Sequence, residues 1–196
     1  MPPRLRRRRY LARRLRYLLL TAALLAGLAV ADRFGLFGRA PTPDFQKYHN
    51  LSALVVRVID GDTLDVDVPD DPYPYTRVRL WGVDTPETVK PNTPVQHFGR
   101  EASQAAKDLV LSQTVRLELV STDTRDKYGR LLAYMVLPDG RLLNAVLIEE
   151  GFGYADPRFD HPRKREFARL GQQARKAGRG LWKNATDADL PEYLRP

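Results

Sequence analysis

Acidic side chains occur in this chain of 196 residues at the points where apolar stretches end. Asp60 and Asp62 form an Asp-Gly-Asp turn, and a second acidic group contains Asp84 and Glu87. Carboxylates in loops, without histidine or cysteine beside them, favour a hard, oxygen-liganded cation such as Ca²⁺ over zinc. Their spacing differs from that of an EF-hand loop, so the predicted site is assembled from separate parts of the chain.

Two arginines accompany these carboxylates. Arg79 precedes the second acidic group, and Arg130 follows the sequence Asp-Lys-Tyr-Gly. The planar guanidinium group matches the oxygens of a phosphate. A cation, two arginines and a further carboxylate suit phosphodiester hydrolysis, because the cations oppose charge on the phosphoryl oxygens and the carboxylate accepts a proton from water. Taken singly, each motif is also typical of a plain turn or of an outward-facing strand residue.

The elements that must position these residues are predicted from periodicity. Residues 52–59 are rich in β-branched side chains, and apolar and polar residues alternate along 63–68 and 75–83. These stretches, together with residues 114–120 and 130–137, are predicted to be strands. Helical spacing predicts helices over residues 98–112, 142–150 and 166–177. This order favours an α+β, mainly β fold: a five-stranded, mostly antiparallel closed barrel of the OB type with about three helices. An open α+β sheet is the alternative.

The net charge of +8 comes from the N-terminus. Residues 1–16 contain eight arginines and no acidic residue, whereas residues 50–196 contain 21 basic and 22 acidic residues. The body of the chain therefore lacks a general positive field, and binding of an anionic polymer must depend on locally placed arginines or on a metal. The chain has no cysteine, which excludes disulfides and thiolate metal sites.

An apolar segment follows the arginines directly. Residues 17–31 carry no charge and end in Ala-Val-Ala, so residues 1–37 are predicted to be a basic region plus a signal peptide cleaved near Ala31, or an uncleaved N-terminal hydrophobic helix as a transmembrane anchor. Either alternative places the rest outside the cytoplasm, membrane-anchored or secreted. Residues 38–50 are predicted to be a linker, residues 51–184 the domain and residues 185–196 a C-terminal tail.

Several motifs in fixed order identify a resemblance that covers residues 52–184. They are Asp60-Gly61-Asp62-Thr63, Arg79-Leu80-Trp81-Gly82-Val83-Asp84-Thr85-Pro86-Glu87, Gly99-Arg100-Glu101-Ala102, Asp126-Lys127-Tyr128-Gly129-Arg130, Asn144, Gly151 and Gly180-Leu181-Trp182. Together they closely resemble the staphylococcal nuclease (thermonuclease) family. The resemblance implies an OB-type barrel that acts on DNA or RNA with Ca²⁺ and leaves 3′-phosphates, here expected to be a monomer.

The resemblance also implies roles for individual residues. The Ca²⁺ ligands would be the carboxylates of Asp62 and Asp84 and the backbone carbonyl of Thr85, with Asp60 as a nearby acid outside the ligand set. Glu87 would be the general base, and Arg79 and Arg130 would stabilise the transition state. Nucleotide-binding residues would be Lys127, Tyr128 and Phe159, although the stretch after Gly151 departs from the family pattern. The alternative function is a catalytically inactive nuclease-like module that binds nucleic acid or protein at the membrane.

Overall fold

The computed structural model describes residues 14, 16–27, 42–88 and 96–195. The chain consists of two compact units, residues 1–40 and 41–196. In the first unit, residues 16–27 are helical. Within the described part of the chain, no helix is both long and apolar enough to cross a membrane. The predicted cleavage position near Ala31 and the end of the predicted anchor lie outside the described residues.

The second unit contains the barrel and the helices that cover it. Its strands are β1 (Ser52–Val58), β2 (Thr63–Val66), β3 (Thr76–Leu80), β4 (Val83–Asp84), β5 (Thr114–Glu118), β6 (Leu131–Val136) and β7 (Tyr154–Ala155). Its α-helices are α1 (Pro43–Tyr48), α2 (Gly99–Val110), α3 (Leu143–Glu149) and α4 (Lys164–Lys176), and 3-10 turns cover Gly180–Lys183 and Glu192–Leu194.

Five strands close into a barrel in the order β1-β2-β3-β6-β5, which confirms the predicted five-stranded closed barrel. All neighbouring pairs are antiparallel except β3 and β6, which are parallel. Strand β1 closes the barrel because its first half pairs with β5 and its second half with β2, with an irregularity between Val55 and Arg57. Such irregularities let one strand bend between two neighbours.

Strand β3 is shorter than the sequence predicts. The periodicity predicts one strand over residues 75–83, but β3 ends at Leu80 and β4 pairs separately with β7. Gly82 causes the break: its φ is +76°, and a Cβ atom there would lie 2.5 Å from the His161 ring. The turn brings Asp84, which follows it, back toward Arg79, which precedes it.

Two segments predicted to lie outside the domain pack against it. Within the predicted linker, residues 38–50, α1 begins at Pro43 with the Thr42 hydroxyl as its N-cap, and Tyr48 is completely buried in the main core. In the predicted tail, residues 185–196, Leu190 is buried in a smaller core with Tyr154 and Leu181. Both segments are polar overall, so their few apolar residues do not produce a periodic pattern.

Candidate active site

Arg79 lies between two carboxylates at the end of β3. One end of its guanidinium group forms an ion pair with Asp62 Oδ1, and Nη2 donates to Asp84 Oδ1 at 2.9 Å and to the Val83 carbonyl at 3.0 Å. The side chains of Arg79 and Asp62 are mostly buried, at 16% and 2% exposure. Two carboxylates that are far apart in the sequence therefore contact the same guanidinium group. Because this group is mostly buried, solvent screens the charges poorly.

The Asp60–Asp62 turn is held against Thr85. Asp62 Oδ2 accepts hydrogen bonds from the backbone nitrogen of Thr85 at 2.8 Å and from its hydroxyl at 3.1 Å. A Cβ atom on Gly61 would lie 2.8 Å from the Thr85 side chain, so only glycine permits this close approach. The predicted metal ligands Asp62, Asp84 and Thr85 are thus brought together at one place.

Asp60 lies beside this group. Its Oδ1 accepts a hydrogen bond from the backbone nitrogen of Asp62 at 3.2 Å. Burial raises the pKa of the Asp60 carboxyl above its ordinary value, while the charges of Arg79 and Arg130 act in the opposite direction. The charges of both predicted phosphate-binding arginines therefore act on the pKa of the Asp60 carboxyl.

Arg130 joins the same network through Thr63. Its Nη1 donates to Thr63 Oγ1 at 3.3 Å, and that hydroxyl donates to Asp62 Oδ1 at 3.0 Å. Asp126, which the sequence analysis left without a role, orients Arg130: its Oδ2 accepts from Nε at 2.7 Å and its Oδ1 from the Arg130 backbone at 3.0 Å. A carboxylate four residues before an arginine across a turn is the sequence signal for this pair.

Glu87 lies on the loop that leaves β4. Its backbone nitrogen donates to the Gln96 side-chain oxygen at 2.8 Å, and its carbonyl accepts from the Gln96 backbone at 3.0 Å. Its Oε1 accepts from the Thr88 backbone nitrogen at 3.0 Å. The side chain borders a cavity of about 780 Å³ that Asp84 and Thr85 also line, so this carboxylate and the Arg79-bound Asp84 face the same space.

The three predicted nucleotide-binding residues lie on exposed surface. The Tyr128 ring is 72% exposed and lies beside two cations, 5.0 Å from Lys127 Nζ and 5.4 Å from Arg130 Cζ. Phe159 is also exposed, with Arg158 Cζ at 5.7 Å from its ring centre. An exposed ring beside an arginine can stack on a nucleic-acid base.

The C-terminal segment forms the other wall of the cavity. Residues 188–193 and Arg195 line it together with Arg158. The Tyr193 hydroxyl donates to Asp84 Oδ2 at 2.6 Å. Burial and the neighbouring Asp84 charge raise the pKa of Tyr193, so the hydroxyl keeps its proton. Sequence reasoning missed Tyr193, because 109 positions separate it from Asp84 and it belongs to no motif.

The donor set fits a calcium ion by its chemistry. Asp62 and Asp84 supply hard carboxylate oxygens, and their convergence on Arg79 shows that this site is built around a positive charge. In the part of the chain that the structure describes, no three His, Cys, Asp or Glu side chains cluster as metal ligands. A calcium ion here would therefore also need backbone, water or substrate oxygens, as Ca²⁺ commonly accepts.

The sequence of this chain is similar to that of a known protein family. Residues 77–184 match the model of the staphylococcal nuclease homologue family. The chain is 52% identical to the thermonuclease of Staphylococcus intermedius over 104 residues, which are 53% of this chain and 59% of that protein. It is 44% identical to the thermonuclease of Staphylococcus hyicus over 133 residues, 66% of this chain and 75% of that protein. Endonuclease YncB of Bacillus subtilis is 43% identical over 58% of this chain and 52% of its own length. The chain therefore belongs to the staphylococcal nuclease family.

Proposed function

We propose that this chain is a Ca²⁺-dependent nuclease that hydrolyses phosphodiester bonds of DNA or RNA and leaves 3′-phosphate products. Family membership and the relatives named as thermonucleases and endonucleases support this proposal. The observation that carries it is the Arg79 bridge between Asp62 and Asp84, with Arg130 connected to the Asp62 carboxylate through Thr63.

In the proposed reaction, Glu87 accepts a proton from water as the water oxygen bonds to phosphorus. The bond from phosphorus to the 5′-oxygen breaks, and the leaving oxygen takes a proton from solvent. Arg79 exchanges its carboxylate partners for phosphate oxygens, and Arg130, oriented by Asp126, donates to the same group. A calcium ion held by Asp62 and Asp84 would supply positive charge against the negative charge that grows on the phosphoryl oxygens.

The test is a cleavage assay with the purified full chain on single-stranded DNA and on RNA. Cleavage is expected with Ca²⁺ and not with a chelator. Glu87→Gln keeps the size of the side chain but removes the proton acceptor, so it is expected to lower turnover by about 100-fold or more. Glu150→Gln, a change at an exposed glutamate, is the matched control.

The outcomes separate the two functions. Ca²⁺-dependent cleavage that falls in Glu87→Gln and not in Glu150→Gln supports the nuclease. A folded chain that binds DNA or RNA but cleaves neither supports the inactive binding module instead. Near-normal turnover in Glu87→Gln removes this residue from the role of general base.

We also propose that the arginine-rich and apolar N-terminal residues direct the domain across a membrane, as an anchor or as a cleaved signal. The support is the sequence pattern of residues 1–31. Fractionation of expressing cells, with N-terminal sequencing of the product, distinguishes a new N-terminus near Ala31 from an intact membrane-bound chain. An intact product in the cytoplasmic fraction contradicts the proposal.

A further inference from the structure

Each oxygen of the Asp84 carboxylate has its own donor. Arg79 Nη2 donates to Oδ1 at 2.9 Å, and the Tyr193 hydroxyl donates to Oδ2 at 2.6 Å. Arg158 Nη2 also lies 3.2 Å from Oδ2. The carboxylate is therefore held from three parts of the chain, and the Oδ2 contacts come from residues outside the family motifs.

Tyr193 and Arg158 support each other. The Arg158 guanidinium carbon lies 4.0 Å from the centre of the Tyr193 ring. The same guanidinium donates to both oxygens of the buried Asp156, from Nε at 2.9 Å and from Nη2 at 2.7 Å. A cation held by a carboxylate and stacked on a ring has little freedom to move. The hydroxyl of Tyr193 is thereby held at a defined position.

The segment that carries Tyr193 is anchored next to Asp84. Leu190, only 3% exposed, packs in a small core with Tyr154 and Leu181. Tyr154 is the β7 partner of Asp84 on β4. Arg195 Nε donates to the Leu190 carbonyl at 2.9 Å, which brackets the turn that contains Tyr193. The apolar anchor and the tyrosine thus bind neighbouring parts of one two-stranded sheet.

We propose that Tyr193 is a positioning residue for Asp84, whose carboxylate it holds in one orientation for the cation. Carboxylates that bind metals are commonly oriented by a hydrogen bond from a neighbouring residue, and loss of that bond lowers metal affinity. The inference rests on the proposed function, because it concerns the proposed Ca²⁺ ligand. It assigns a role in the site to the segment predicted from sequence to be only a tail.

The test measures binding of Ca²⁺ alone to the purified full chain by calorimetry. Tyr193→Phe removes the hydroxyl and keeps the ring over Arg158, and it is expected to raise the Ca²⁺ dissociation constant about tenfold or more. Tyr193→Ala also removes the ring and is expected to raise it further. Tyr73→Phe, at an exposed tyrosine, is the matched control and is expected to bind Ca²⁺ as the wild type does.

A second measurement separates positioning from a structural role. DNA cleavage by Tyr193→Phe should approach the wild-type kcat at high Ca²⁺ concentration, because only occupancy of the site is reduced. An unchanged dissociation constant in Tyr193→Phe overturns the inference and leaves the proposed function standing. Tighter Ca²⁺ binding in Tyr193→Phe also overturns it, because the hydroxyl then competes with the ion. A wild-type chain that binds no Ca²⁺ overturns the proposed function and this inference together.

Discussion

At the scale of single residues, Arg79 determines the electrostatics of the site. Its one positive charge faces two carboxylates, Asp62 and Asp84, in the resting chain. With Arg158, which contacts both Asp84 and Asp156, three carboxylates face two guanidinium groups. This arrangement leaves an excess of negative charge, which a divalent cation can neutralise. Calcium bound to these carboxylates would replace their contacts with the Arg79 guanidinium group, which could then bind a phosphate. Arg79 would thus pair with the carboxylates before substrate binds and with the phosphate in the proposed transition state.

The planar shape of that guanidinium group matters as well as its charge. Arg79→Lys keeps the charge but cannot donate in two directions from a planar group, so kcat/KM for DNA is expected to fall by about 100-fold or more. Arg130→Lys is expected to do the same, because it loses the paired contact with Asp126. Steady-state kinetics at saturating Ca²⁺ check both variants. Arg141→Lys, at an exposed arginine, is the control, and full activity in either site variant contradicts phosphate binding by that residue.

At the scale of elements, Asn144 secures the end of β3 that presents Arg79. This side chain is completely buried at the start of α3. Its Oδ1 accepts from the Met135 backbone nitrogen at 3.0 Å, and its Nδ2 donates to the Trp81 carbonyl at 3.0 Å. One amide thus connects α3, β6 and the residue that precedes the Gly82 turn.

Removing that amide leaves buried backbone groups without partners. Asn144→Ala is expected to lower the free energy of unfolding by about 2–4 kcal/mol, because both the Met135 nitrogen and the Trp81 carbonyl lose a hydrogen bond in a buried setting. Denaturant unfolding at equilibrium measures the change. Asn184→Ala, at an exposed position, is the control. A loss below about 0.5 kcal/mol in Asn144→Ala would mean that water or a shifted backbone replaces the amide.

The elements also show what the sequence could predict. Local periodicity and β-branched composition are sufficient to predict the five barrel strands and α2, α3 and α4, because each packs apolar side chains against one core. They are not sufficient to predict the break after Leu80, because that depends on a glycine packed against the distant His161. Local patterns do not predict α1 or the segment around Leu190, since each is held by few apolar side chains and by contacts with distant residues.

In the candidate site, too, local sequence patterns predict some residues, whereas contacts between distant parts of the chain are not predicted. Residue types in ordered motifs were sufficient to propose Asp62, Asp84 and Arg79, and the structure brings them into contact. The contact between Tyr193 and Asp84 exists only in three dimensions. No single-sequence pattern predicts it.

At the scale of the whole molecule, charge is distributed in pairs over the domain. Residues 50–196 are nearly neutral, and many of their arginines are paired with aspartates. A neutral surface gives little long-range attraction for a polyanion. We therefore expect substrate binding to depend on locally placed groups such as Arg79, Arg130 and the exposed Tyr128 ring.

One such pairing connects three distant parts of the domain and predicts a pH dependence. Arg125 donates to both oxygens of Asp44 at 2.7 and 2.9 Å and to both oxygens of Asp70 at 2.7 and 3.0 Å. These contacts tie α1 and the loop after β2 to the loop before β6. The hydrogen bonds from Arg125 lower the pKa of each carboxyl below the ordinary value of 3.8.

Because both pKa values are lower in the folded chain than in the unfolded chain, this stabilisation is complete above about pH 4 and disappears as the pH falls through the folded values. The double variant Asp44→Asn, Asp70→Asn is therefore expected to be less stable than the wild type at pH 7 by about 1–2 kcal/mol, a modest figure because all three side chains are 27% exposed. The difference should shrink as the pH is lowered toward about 2. Denaturant unfolding across this range measures it, with Asp187→Asn at an exposed position as control. A difference that stays constant with pH would assign the stabilisation to packing of α1 rather than to the charges.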